Sequence, residues 1–164
     1  MPANSAMLAA LLLLPPQGPG LRETMLEAHN AERVRVGTAP LGWSDSLAAD
    51  ARAYAREMAR TGRFAHAVQP AGKPRQGENL WMGTRGAYSY REMSAGWIAE
   101  KRWFVNRATP DFSTTGKWTD VGHYTQMIWS GTTQLGCAVA SSRDYDYLVC
   151  RYSPAGNVVG RKAY

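Results

Sequence analysis

An imidazole, an amide and a hydroxyl fall within two helical turns in Gly122-His123-Tyr124-Thr125-Gln126-Met127-Ile128-Trp129. A helix-start signal at Thr119 or Asp120 and a stop at Gly131 bracket this segment. On such a helix His123, Gln126 and Met127 share one face, because residues three and four apart are neighbours, so a polar site sits beside an apolar wall. The chain has only three histidines, His29, His66 and His123. Neutral imidazoles can hold Zn2+ and leave positions open for water or substrate, yet none of the three falls in a zinc motif such as His-Glu-x-x-His. Hydrolysis needs a nucleophile or an activated water and an oxyanion-stabilising group. Ser and Thr are plentiful, but none lies in a Gly-x-Ser-x-Gly elbow, and Thr125, two residues from His123, points to another side of the helix. Spacing alone therefore names neither a metal centre nor a nucleophile.

The elements that must position these groups follow from periodicity and stop signals. Residues 21–36 read as a first helix, with Leu21, Met25, Ala28 and Val34 near the 3.6 period and Gly37 as its stop. It carries His29, Asn30 and Arg33, which read as a buried polar network tying this helix to its neighbours. Ser44, Asp45 or Ser46 caps an alanine-rich second helix that runs to about Thr61 and stops at Gly62; Trp43 just before it reads as core. Residues 69–77 form a loop, 78–82 a short strand, and 90–102 a third helix with Met93, Trp97 and Ile98 on its buried side. Residues 103–118 form a long loop containing Trp103, Phe104, Phe112 and Trp118, and loops of that length are usually functional or mobile. Gln134–Ser141 and Tyr145–Tyr152 read as a β-hairpin. The elements show no βαβ alternation, which points to α+β.

Cys137 and Cys150 lie symmetrically about the Arg143-Asp144 turn, so antiparallel pairing sets them opposite each other. At a non-hydrogen-bonded pair the Cα atoms would be about 4.5 Å apart, at the close end of disulfide geometry. A bridge fits an exported protein; two buried free thiols are the alternative.

A chain of 164 residues makes one domain. At 45% hydrophobic and 20% charged residues it is far from disordered composition. The net charge of +6 favours anionic partners. The basic residues are scattered, however, with no Lys/Arg run and no recognition helix, so nucleic acid is not an expected partner. Ala6–Leu14 is a nine-residue apolar run followed by prolines and glycines. It is too short to span a bilayer, which takes about 20 residues, and suits a secretory signal. No Lys or Arg precedes it, and a disordered tail on a cytosolic protein is the alternative. Residues 1–20 thus read as a secretion signal or disordered segment, and 21–164 as a single domain.

The octapeptide around His123 resembles the signature segment of the CAP superfamily, which includes cysteine-rich secretory proteins, antigen 5 and plant pathogenesis-related proteins. Tyr147-Leu148-Val149-Cys150-Arg151-Tyr152-Ser153-Pro154-Ala155-Gly156-Asn157 is similar to that family's second signature. His29-Asn30 with Arg33, and Gly77-Glu78-Asn79-Leu80, add two shorter matches in the same order. The chain lacks the cysteine-rich tail of many animal relatives and resembles a minimal one-domain member.

The resemblance implies a three-layer α-β-α sandwich with a central antiparallel sheet. It also implies a cleft lined by two histidines and two glutamates, which fall on His66, Glu78, Glu100 and His123. Glu92 lies eight residues before Glu100 on nearly the same face and is the alternative to it. His66 and His123 would be metal ligands for a weak, pH-sensitive Zn2+ site, with Glu78 and Glu100 as a second shell. The favoured function is a secreted, non-enzymatic binding protein, extracellular or periplasmic. Its partners would be a sterol, a fatty acid, an extracellular protein or an anionic surface. Trp103, Phe104, Phe112 and Trp118 are candidate contacts to an apolar ligand, with core packing expected for at least two of them. The competing function is a zinc-dependent hydrolase with Glu78 or Glu100 as base. A monomer or weak dimer that does not span a membrane is expected.

Overall fold

The computed structural model describes residues 19–164; the apolar run at 6–14 lies outside them. Helix α1 spans Leu21–Val36 and α2 spans Asp45–Thr61. Both stop where a glycine takes up the left-handed conformation, Gly37 at φ 76° and Gly62 at φ 69°. Ser44 caps α2 by accepting from Leu47 N. Helix α3 spans Tyr90–Ala99 and opens on a capping box in which Ser89 and Glu92 satisfy each other's backbone. A 3₁₀ turn, Glu100–Trp103, replaces the end of the expected third helix. Helix α4 is short, Gly122–Ile128, and follows a second 3₁₀ turn at Trp118–Asp120.

Strands β1 (Gly42–Trp43), β2 (Gly77–Thr84), β3 (Gln134–Ser141) and β4 (Tyr145–Ser153) form one sheet in the order β1-β3-β4-β2. The sheet is not wholly antiparallel as expected, because β1 pairs parallel with β3. Two residues are too few to show period-2 alternation, so β1 was illegible in the sequence. Trp43 sits in it, half-buried against the core.

Alternation along β3 and β4 divides the core into two layers. Leu135, Cys137, Leu148, Cys150 and Tyr152 face α1, α3 and α4, where they meet Met25, Met93, Trp97, Met127 and Ile128. Ala138, Tyr147 and Val149 face α2 and meet Ala51, Ala55 and Met58. Alanines let α2 lie close to the sheet: a Cβ on Gly136 would come within 2.3 Å of Ala48 N. The hairpin register sets Cys137 against Cys150, and the two form a disulfide with Cα atoms 4.1 Å apart.

Candidate functional site

Helix α4 carries His123 but has no cap of its own: Val121 stands at its N-cap without a side-chain hydrogen bond. Its ends are instead satisfied from distant parts of the chain. Glu100 Oε2 accepts from the backbone N–H groups of His123 and Tyr124, both at 3.0 Å. At the other end Arg33, reaching from α1, donates to Met127 O at 3.1 Å, Trp129 O at 2.9 Å and Thr132 O at 3.0 Å. A carboxylate at the N-terminus and a guanidinium at the C-terminus both match the helix dipole. Asn157, at a positive φ of 54°, donates to Gly122 O at 2.8 Å, and its Oδ1 lies 2.7 Å from the Thr125 hydroxyl. Thr125 is thereby tied to the scaffold.

Glu100 Oε1 also lies 2.6 Å from His123 Nδ1, and the imidazole stacks on Trp97 with 13° between planes. On the facing strand Glu78 Oε1 lies 2.7 Å from His66 Nδ1 and accepts from Ala67 N at 3.0 Å. Glu78 holds His66 above the usual imidazole pKa through this hydrogen bond, against the opposing effects of burial and of Arg151. Arg151 Nη2 lies 2.8 Å from Glu78 Oε2. That contact is a charge pairing and not an aligned hydrogen bond, since Glu78 Oε2 and Arg151 Nε are both buried without a hydrogen-bond partner.

His66, Glu78 and His123 line one cleft of about 520 Å³, together with Gln126, Asn157 and Trp118. Glu100 stands behind His123 and orients it. Glu92, the alternative to Glu100, belongs to the α3 capping box. Gly77 lets Gln126 into the cleft wall, because a Cβ there would come within 2.0 Å of Gln126 Oε1, which accepts from Gly156 N. Neither His66 Nε2 nor His123 Nε2 has a hydrogen-bond partner among the described residues. Among those residues no three His, Cys, Asp or Glu side chains gather closely enough to hold a metal by themselves.

The four loop aromatics do not gather into one surface. Phe112 is fully buried, and Phe104 packs between Phe112, Tyr124 and Tyr164. Trp103 lies beneath the Arg102 guanidinium at 3.8 Å. Trp118, 48% exposed, is the one of the four that lines the cleft.

His29 takes no part in the cleft. Its Nδ1 donates to Met25 O at 2.6 Å, which leaves Nε2 to accept from the Tyr152 hydroxyl at 2.8 Å. Burial lowers its pKa to about 4. Arg151 was the functional residue that sequence reasoning passed over. Its signal was a lone charge in the otherwise apolar and aromatic run Tyr147–Tyr152.

The chain belongs to the CAP family, the cysteine-rich secretory protein family, whose sequence pattern matches residues 26–152. It is 36% identical to a PR-1 type pathogenesis-related protein of Sambucus nigra, over 85% of this chain and 79% of that one. Against the pathogenesis-related protein PRMS of Zea mays it is 35% identical, over 96% and 91% respectively. Among solved structures it is similar to NaASP2 with Zn2+, with a TM-score of 0.72 and 26% identity, covering 92% of this chain and 88% of that one.

Proposed function

We propose that this protein is a secreted CAP-domain binding protein whose cleft holds a divalent metal, Zn2+ being the natural candidate, through Nε2 of His66 and of His123. The observation that carries this reading is the matched pair of carboxylate contacts. Each Nδ1 lies within 2.7 Å of a glutamate, which fixes the ring and leaves Nε2 as the ligand atom. Two imidazoles make a fitting but incomplete donor set, so water or a ligand must fill the remaining positions, and the affinity is weak. A bound zinc ion would act there as a Lewis acid. The neighbour NaASP2, described with Zn2+, supports the reading.

Glu78 and Glu100 already accept from backbone N–H groups and face histidines, which suits orientation better than service as a general base. The buried disulfide suits an extracellular or periplasmic location. A sterol, a fatty acid or a protein side chain entering the cleft would meet Trp118.

Native mass spectrometry with and without zinc tests this reading. The expected result is a single zinc adduct at pH 7.5 that is absent from the His66→Ala/His123→Ala protein. It should weaken as the pH falls through the raised pKa of His66, where protons compete for the imidazoles. No adduct at neutral pH would overturn the metal site.

A further inference from the structure

Some of the basic residues that look scattered along the sequence are brought into line by helix α2. Arg52, Arg56 and Arg60 recur every four residues, so each is rotated about 40° from the last and the three form a ridge roughly 12 Å long. Arg63 follows just beyond the Gly62 stop. All four are exposed, and none makes a salt bridge or side-chain hydrogen bond among the described residues. The acidic residues of this helix offset the ridge only in part. Asp45 sits at its N-terminal end, holding the Trp43 indole; Asp50 lies about 120° or more round from Arg52 and Arg56; and Glu57, about 60° round from Arg60, makes no ion pair with an arginine among the described residues. Asp50 is engaged by Gln76.

We infer that this ridge is a docking surface for an extended acidic polysaccharide, a chain of sugar rings bearing carboxylates. Such a chain presents one carboxylate per ring, a repeat of the same order as the roughly 6 Å rise between successive arginines. Arginine is the residue whose planar fork meets a carboxylate with two parallel hydrogen bonds, and the ridge contains no lysine.

The composition of the helix sets this partner apart from other polyanions. A helix that rests on a membrane exposes an apolar face. Here Leu47, Ala48, Ala51, Ala55 and Met58 are buried, and the only apolar residues exposed on α2 are Ala49 and Ala53. Single-stranded nucleic acid needs exposed rings for stacking. The one aromatic residue of α2, Tyr54, is half-buried with its ring facing Arg151 at 5.5 Å, and the single exposed ring of Phe64 beyond Arg63 gives no run of stacking platforms along the ridge. Arg52, Arg56 and Arg60 do not line the cleft, so the two sites can be tested independently.

The test is binding of polygalacturonate to the full chain at low ionic strength, with neutral dextran as a blank. The Arg52→Ala/Arg56→Ala/Arg60→Ala protein is compared with an Arg107→Ala/Arg161→Ala/Lys162→Ala protein that loses the same net charge elsewhere. Alanine favours helix, so the ridge variant is expected to fold, and circular dichroism checks this. The expected result is at least a tenfold loss of affinity in the ridge variant and less than threefold in the control. Binding should weaken with added salt and be retained by the His66→Ala/His123→Ala protein. Equal losses in the two triple variants would reduce the effect to net charge and overturn the proposal. So would absence of polysaccharide binding, or binding to phosphatidylglycerol vesicles in its place.

Discussion

Glu100 grips His123 twice, at the imidazole through Oε1 and at the backbone N–H through Oε2. One carboxylate therefore orients the ring and starts the helix that carries it. Replacing Glu100 with Gln removes the charge at the helix N-terminus and leaves an amide that can satisfy only part of this set. The expected loss is about 1–2 kcal/mol of stability, read as a lower urea midpoint at pH 7. His123→Ala keeps the cap and should cost less. An unchanged midpoint in Glu100→Gln would mean that α4 is held without its carboxylate.

His29 makes the protein sensitive to acid. Its folded pKa of about 4 lies below its ordinary 6.5, so below pH 6.5 the unfolded chain takes up a proton that the native state refuses. The stability it contributes is complete above pH 6.5 and is lost as the pH falls towards 4. The loss amounts to on the order of 3 kcal/mol at 1.36 kcal/mol per pKa unit. His66 acts in the opposite sense. Its folded pKa is raised, so its contribution is present below pH 6.5 and is lost as the pH rises through the folded value; with the side chain 68% exposed, that contribution is small. Thermal melts from pH 7.5 to 4.5 should therefore show a shallower acid-side fall in His29→Gln than in the parent. Parallel curves would remove His29 as the cause.

Among the described residues Arg151 is the only cation paired with Glu78 apart from a protonated His66. Arg151→Met leaves a buried carboxylate without its permanent counter-charge, at an expected cost of about 3–5 kcal/mol. The guanidinium also lowers the His66 pKa, so its removal should move the NMR titration of the His66 ring to higher pH. Arg151→Lys retains the charge and should titrate close to the parent. An unmoved His66 titration in Arg151→Met would show that the arginine serves packing alone.

The helices with local signals were legible in the sequence. Gly37, Ser44 and Gly62 bound α1 and α2 by contacts within a few residues, while the Ser89–Glu92 box that starts α3 was not read as a cap. The hairpin register followed in the same way from the symmetry of Cys137 and Cys150 about their turn. Helix α4 defeated this reasoning. Thr119 and Asp120 looked like its caps, but they lie in a 3₁₀ turn, and the capping groups come from Glu100 and Arg33, far away in the chain. The pairing of His66 with Glu78 and of His123 with Glu100 is likewise a product of tertiary packing; the family resemblance brought the four residues together without pairing them. The aromatic loop showed the limit of composition: its rings are alike in sequence, yet their burial ranges from Phe112, fully enclosed, to Trp118, half in solvent.

The Cys137–Cys150 bond joins the two central strands of the sheet, and its residues are 3% and 0% exposed. A reducing agent can reach the sulfurs only when the layer formed by α1, α3 and α4 lifts from that face of the sheet. The survival time of the bond in a reducing medium then depends on how often that layer opens as well as on the reductant. In effect the cross-link keeps time for the protein, since its loss records the excursions of that helical layer from its closed state.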